Sequence, residues 1–125
     1  MTVIVAGERG LLSLDKLIGD DDDVAIAAIT AAELLVGVEL ADAARRPRRQ
    51  ALVDAVVSGI PIEDYDLEVA RSHAFLLAHA RRSGRVRGAH DLVIAATALA
   101  RERVVVTADQ SGFSELPGVA VRVRG

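Results

Sequence analysis

Two periods of apolar residues alternate along this chain. Thr2 to Val5 is a run of β-branched residues, which favours an extended conformation. VAIAAIT (24–30) is short, apolar and partly β-branched, the pattern of a buried strand. The period then changes. In AAELLVGVELADAAR (31–45), Leu34, Leu35, Val38 and Ala41 recur at helical spacing. RRQALVDAVVSG (48–59) predicts a second helix, with Pro47 near its first turn and Gly59 at its end. IPI (60–62) is a short extended piece in which Pro61 limits ladder bonding. DYDLEVARSHAFLLAHARRSG (64–84) predicts a long amphipathic helix that stops at Gly84, and HDLVIAATALARE (90–102) a strongly apolar one. RVVVTAD (103–109) reads as a buried strand and GVAVRV (118–123) as the last strand.

Strands separated by helices imply parallel pairing, because parallel neighbours need a crossover connection. The expected fold is therefore a single α/β domain over residues 1–125. It is an α/β/α sandwich around a central, mainly parallel sheet, with no internal repeat or linker. In such sheets ligands gather outside the carboxyl ends of the strands. That is where candidate chemistry is sought.

Composition narrows the chemistry. The 125 residues include no cysteine, so disulfides and thiolate metal sites are excluded and any metal must bind through oxygen or histidine. A net charge of −3 argues against nonspecific coating of nucleic acid, but the arginines are clustered. Arg45, Arg46, Arg48 and Arg49 form one group, and Arg81, Arg82, Arg85 and Arg87 another. Each group reads either as a solvated helix end or as a set of phosphate contacts. With one Tyr and two Phe, base stacking on aromatic platforms is not the expected mode of binding. The acidic run Asp20 to Asp23 lacks the glycine and glutamate of a calcium-binding loop and is expected to be a solvated loop. No apolar stretch reaches the length of a membrane span, and Glu8 and Arg9 interrupt any secretory pattern. The expected location is the cytoplasm, with no membrane partner.

Three acids fall at the predicted strand ends: Glu33 after 24–30, Asp91 at the start of the apolar helix, and Asp109 after 103–107. Each has a structural alternative. Thr30 to Glu33 fits a capping box, Asp91 fits a helix cap or first-turn acid, and Asp109 fits an Asx-turn. Together, three converging carboxylates repel one another, and a divalent cation relieves that cost. Hard oxygen donors suit Mg²⁺ or Mn²⁺ rather than Zn²⁺. Such a cation polarises a phosphodiester and helps to generate hydroxide. Carboxylates on separate elements at one sheet edge thus point to a metal-dependent nuclease. His90, beside Asp91, is a candidate for a supporting contact.

AITAAELLVGVELA (28–41), GAHDLVIAATALA (88–100) and VVVTADQSGF (104–113) resemble successive motifs of PIN-domain proteins, specifically VapC-type toxins of toxin–antitoxin pairs. The resemblance runs over essentially the whole chain in the same order. It implies a Mg²⁺-dependent endoribonuclease that cuts cellular RNA such as tRNA or rRNA. It also implies a VapB-type antitoxin that threads a segment into the active-site groove, and a homodimer. Carried over by motif, Glu33, Asp91 and Asp109 are the catalytic and metal-binding acids, and Thr107 is a supporting hydroxyl. The hairpin around 38–58 corresponds to the region that grips the antitoxin and the second protomer. Arg81, Arg82, Arg85 and Arg87 are the expected RNA contacts.

The departure is at MTVIVAGERG. The family begins with a short strand ending in Asp-Thr-Ser or a similar triplet, and that Asp is a principal ligand. No Asp precedes Asp15 here. In one register Thr2 to Val5 is the strand and Ala6 replaces the ligand, with Glu8 a poor substitute. In the other, which is favoured, Ala6 to Gly10 matches the end of the first helix, the strand and its Asp fall before Met1, and the sheet stays closed only if Thr2 to Val5 is recruited as a makeshift strand. Either way three matched carboxylates stand in place of four. A catalytically impaired protein that binds an antitoxin without cutting RNA is therefore the alternative reading, and cleavage of DNA by the same site is compatible with the chemistry.

Overall fold

The computed structural model describes residues 1–7, 19–85 and 88–123. Its five strands are β1 (Thr2–Val5), β2 (Asp23–Ala27), β3 (Ile62–Glu63), β4 (Val104–Thr107) and β5 (Val121–Val123). They form one sheet in the order β3-β2-β1-β4-β5, and every pairing is parallel. The helices among the described residues are α1 (Ala28–Glu39), α2 (Arg46–Gly59), α3 (Leu67–Ser83) and α4 (Ala89–Arg101). This is the α/β/α sandwich expected from the alternation of periods.

β1 is the central strand, the position that Thr2 to Val5 takes in the first register and by recruitment in the favoured one, while Glu8 to Gly10 lie outside the described residues. Thr2 to Val5 pairs with β2 on one side (Val3 opposite Val24) and with β4 on the other (Val3 opposite Val104). The reason lies in the residues themselves. Val3, Ile4 and Val5 are β-branched and fully buried, with Ile4 pointing to one face and Val3 and Val5 to the other. Burial of each is worth roughly 1.5–3 kcal/mol, a large share of a typical domain's net stability.

Two helical layers cover the sheet. Ile4, Ala27 and Val105 pack with Val69 and Leu76 of α3 and Leu92, Ile94 and Ala95 of α4. On the opposite face Val5 and Ile26 pack with Ala31, Leu34 and Val38 of α1 and Val53 of α2. The α3 boundaries follow from its ends. Asp66 accepts from the Val69 N–H at 3.0 Å, Glu68 sits in the first turn, Arg81 and Arg82 sit in the last, and Gly84 adopts the left-handed conformation at φ 69°. The strand expected over 24–30 stops at Ala27, and α1 takes over at Ala28.

An ionic brace ties the elements together. Arg103 donates from Nη1 to the carbonyls of Val3 and Asp23, each at 3.0 Å, and from Nη2 to Glu63 Oε1 at 3.1 Å. Glu63 also receives Arg101 Nε at 2.9 Å, while Arg101 Nη2 reaches Asp66 Oδ2 at 2.6 Å. Two arginines thus lock β1, β2, β3, α3 and α4 to one another.

The acidic run is not the expected solvated loop throughout. The Asp22 side chain is only 7% exposed, and its Oδ2 accepts from Arg122 Nη2 at 2.6 Å and from the Gly19 N–H at 2.7 Å. The bond from Arg122 and that from Gly19 hold its carboxyl well below the usual carboxylate range. A lowered folded-state pKa means that the anchor contributes fully above the ordinary value of about 4, and that the contribution is lost as pH falls toward the depressed value. Asp22→Asn is therefore predicted to lower the Tm at pH 7, with the gap to the parent narrowing below about pH 4. Thermal melts across that range check it, and a deficit that stays constant on acidification contradicts it.

Candidate active site

The order β3-β2-β1-β4-β5 places the topological switch at β1, where one crossover leads to β2 and a later one returns on the other side to β4. The candidate acids surround the carboxyl edge at this point. Glu33 lies in α1, which continues directly from β2. Asp91 lies in the first turn of α4. Asp109 follows β4 and caps the 3₁₀ turn Gln110–Gly112.

The structural alternatives for these acids fare unequally. Because α1 begins at Ala28, Thr30 is already in its first turn and Glu33 is well inside the helix, and no side-chain cap bond is formed. The capping-box reading of Glu33 is thereby excluded. Glu33 Oε2 instead stands 3.4 Å from His90 Nδ1, so the histidine expected as a supporting contact faces this acid. Asp91 is not the cap of α4, since Gly88 holds that position without a side-chain bond. It is a first-turn acid that complements the helix dipole. Asp109 does make the Asx-type turn, with Oδ1 accepting from the Ser111 N–H at 3.0 Å. Thr107 is buried beneath that turn. Its Oγ1 accepts from the Asp109 N–H at 3.1 Å and donates to the Asp109 carbonyl at 2.9 Å.

Asp91 senses the other two acids. Burial pushes the Asp91 carboxyl above its ordinary pKa, the negative charges of Glu33 and Asp109 push it further, and His90 opposes them. Gly88, Ala89, His90 and Asp91 line an open cleft of about 340 Å³. All the acidic donors are oxygens, and one has its proton affinity raised by the other two, which fits a hard divalent cation. Among the described residues, however, no three His, Asp or Glu side chains gather tightly enough to form a ready-made metal-holding group. Ala6, which follows β1 and donates its N–H to the Val106 carbonyl at 3.0 Å, brings a methyl group and no ligand to the edge.

The arginines divide by role. Arg46 Nη2 donates to the carbonyls of Glu39 and Ala41 at 3.0 and 3.4 Å, closing the end of α1 as a helix-end cation does. Arg81 and Arg82 are exposed in the last turn of α3. Arg85 is engaged with Glu115 and Ser114 in the segment after β4. Arg87 lies outside the described residues.

Comparison with known proteins gives the family. The PIN domain family model matches residues 2–119, which sets the class. Ribonuclease VapC5 of Mycobacterium tuberculosis is 37% identical over 122 residues, covering 95% of this chain and 86% of the relative. The tRNA(fMet)-specific endonuclease VapC of Salmonella typhimurium is 33% identical over 96 residues, covering 77% and 71%. The structure of VapBC-5 from M. tuberculosis, a toxin–antitoxin family member, superposes with a TM-score of 0.73 at 30% identity, covering 98% of this chain and 96% of the other. The chain belongs to the VapC ribonuclease branch of the PIN-domain family. VapBC2 from Rickettsia felis, at 22% identity and a TM-score of 0.82 over 98% of both chains, shares the fold.

The raised pKa of Asp91 has a consequence for stability. The folded state binds its proton more tightly than the unfolded chain does, so ionised Asp91 costs stability at neutral pH. Asp91→Asn is predicted to raise the Tm at pH 7 by a few degrees, with the gain fading as pH falls to about 4. Calorimetry at both pH values tests this, and a lowered Tm at pH 7 contradicts it.

Proposed function

We propose that this protein is a Mg²⁺- or Mn²⁺-dependent endoribonuclease toxin of a type II toxin–antitoxin system, neutralised by a VapB-type antitoxin. The observation that carries the reading is the placing of Glu33, Asp91 and Asp109 around the carboxyl edge of the sheet, with Asp91 buried beside the other two, within a VapC-family chain. Those three residues would hold the cation. When bound, it would polarise a scissile phosphodiester and lower the pKa of a water. The chain's own groups set the stage for this. Thr107 fixes the turn that presents Asp109, and His90 Nδ1 stands beside the Glu33 carboxylate. Arg81 and Arg82, exposed at the end of α3, are available to RNA phosphates, and Arg85 and Arg87 extend the same basic segment. The substrate class is cellular RNA of the tRNA or rRNA kind, and the setting is the cytoplasm; among the described residues no helix is long and apolar enough to cross a membrane.

The partner surface is the α1–α2 hairpin. Leu35, Val36, Leu40 and Leu52 are exposed there, with Leu40 at 82%, and Arg45 and Arg48 stand beside them. Exposed apolar side chains and exposed arginines on one hairpin suit an amphipathic antitoxin segment and the second protomer of a homodimer.

RNA cleavage is expected with Mg²⁺, and it is expected to disappear with EDTA and to fall about 100-fold or more for Asp91→Asn. Cleavage indifferent to both treatments would falsify the metal reading.

A second reading rests on Ala6, which ends the central strand without a carboxylate. On this reading the chain binds its antitoxin and cuts RNA poorly. Ala6→Asp then adds a fourth acid at the switch point and is predicted to tighten Mn²⁺ binding about tenfold or more and to raise cleavage in parallel. Full cleavage by the parent chain, with no gain from Ala6→Asp, rules out impairment.

A further inference from the structure

Gly112 does not use the conformational freedom of glycine. The glycines with positive φ among the described residues are Gly7, Gly84 and Gly118. Gly112 lies in the 3₁₀ turn after Asp109, and Gly88 caps α4 at φ −62°, ψ 134°, a conformation open to any residue. What both positions provide is space. A Cβ on Gly112 would lie 2.2 Å from Asp91 Oδ2 and 2.9 Å from its Cγ, and a Cβ on Gly88 would lie 3.3 Å from the same Oδ2. The Asp91 carboxylate is therefore seated between two backbones that come close because neither carries a side chain.

We propose that Gly112, with Gly88 in a lesser role, is a positioning residue that sets the Asp91 carboxylate against the Asp109 turn. The inference rests on the reading of Asp91 as a cation-holding acid. Two further features support it. The turn that carries Gly112 is anchored on both sides, by the Asp109 cap bond to Ser111 before it and by buried Phe113 and Leu116 after it. Gly112 is thus a fixed wall. Asp91, by contrast, has a free torsion about its Cα–Cβ bond, and the atoms in conflict are the outer ones of its side chain. A methyl at position 112 leaves the wall in place and turns the carboxylate out of its seat. The same coupling explains how Asp91 and Asp109, on different elements, keep their relative position: one turn both presents Asp109 and backs Asp91.

The test uses the full chain. Mn²⁺ is titrated by electron paramagnetic resonance, thermal midpoints are recorded, and crystal structures of the parent and of Gly112→Ala are compared. Gly112→Ala is expected to displace the Asp91 carboxylate and to weaken Mn²⁺ about tenfold or more, the size of loss typical when a group that orients a metal ligand is altered. Its Tm is expected to stay close to the parent's. Gly88→Ala, whose added methyl needs a shift of only tenths of an ångström, gives a smaller loss in the same direction and keeps the test readable if Gly112→Ala folds poorly. Gly59→Ala, where a Cβ meets nothing within 4 Å, controls for the general effect of the exchange. In an Asp91→Asn background the Gly112→Ala penalty is expected to vanish, because a positioning residue acts through the group it positions. An Asp91 carboxylate found unmoved in Gly112→Ala overturns the inference, as does parental Mn²⁺ affinity in that variant or a penalty that persists without Asp91. If the parent binds no Mn²⁺, the cation reading of the site falls instead, and the crystal structures alone decide the seating of Asp91.

Discussion

Everything in this fold hangs on a four-residue strand. β1 is the only element bonded to both β2 and β4 among the described strands, so it joins the two halves of the sheet. Glu33 is carried by the helix that leaves β2, and Asp109 by the turn that leaves β4. Asp91 rides on α4, whose buried residues Leu92, Ile94 and Ala95 pack on Ile4 and Val105. The separation of these acids is fixed by the spacing of three adjacent strands, about 4.8 Å apiece. The Arg103 guanidinium reinforces that spacing by bonding at once to the Val3 and Asp23 carbonyls. A strand this short has few ladder bonds of its own. Its place is secured by complete burial of three branched side chains and by a charged brace at its start.

At the other end of the same strands the chain accepts cost. Asp91 is half-buried beside two other acids, which raises the free energy of its ionised form. Among the described residues no donor repays this in the way that Arg122 and Gly19 repay the burial of Asp22. The two aspartates make an instructive pair. Both are drawn out of water, but one is surrounded by donors and has its pKa lowered, while the other faces like charges and has its pKa raised. A carboxylate of the first kind serves the fold, and one of the second kind is a marker of function.

Most of the architecture was legible because it is written in local signals. The period changes at 24–30 and 31–45, the Asp66 and Gly84 caps of α3, and the VVV run of β4 each encode one element without outside help. The strand–helix boundary at Ala27 was less clear, since Ile29 and Thr30 have strand-like side chains and are helical only because α1 starts early to pack Ala31 and Leu34 on β2. Asp22 escapes a sequence reading for a related reason. A run of four aspartates looks uniformly solvated, and the partner that singles out the third is Arg122, one hundred residues away. The placing of the three acids at the carboxyl edge follows from their strand-end positions in the sequence. The seat of Asp91 does not, because a glycine three residues after Asp109 reads as an ordinary turn residue, and only the approach of α4 reveals why a side chain is excluded there.

The N-terminal stretch separates two requirements that are usually met together. The central position of the sheet asks for generic properties: extended propensity, branched apolar side chains on both faces, and no charge in the middle. Thr2 to Val5 meets them, which is why it occupies the position although the residues that follow resemble the end of a first helix. The carboxyl edge asks for something specific, an oxygen ligand at one place, and propensity cannot supply it. Ala6 satisfies the backbone through its bond to Val106 and, on the proposed function, leaves the cation to Glu33, Asp91 and Asp109. Fold and catalysis therefore depend on this segment in different ways. Many sequences can build β1, so the sandwich tolerates exchange there. A cation held by fewer charged ligands is held more weakly, so activity does not. On the proposed function the exact seating of Asp91 matters because a cation held by few acids draws a large share of its binding from each.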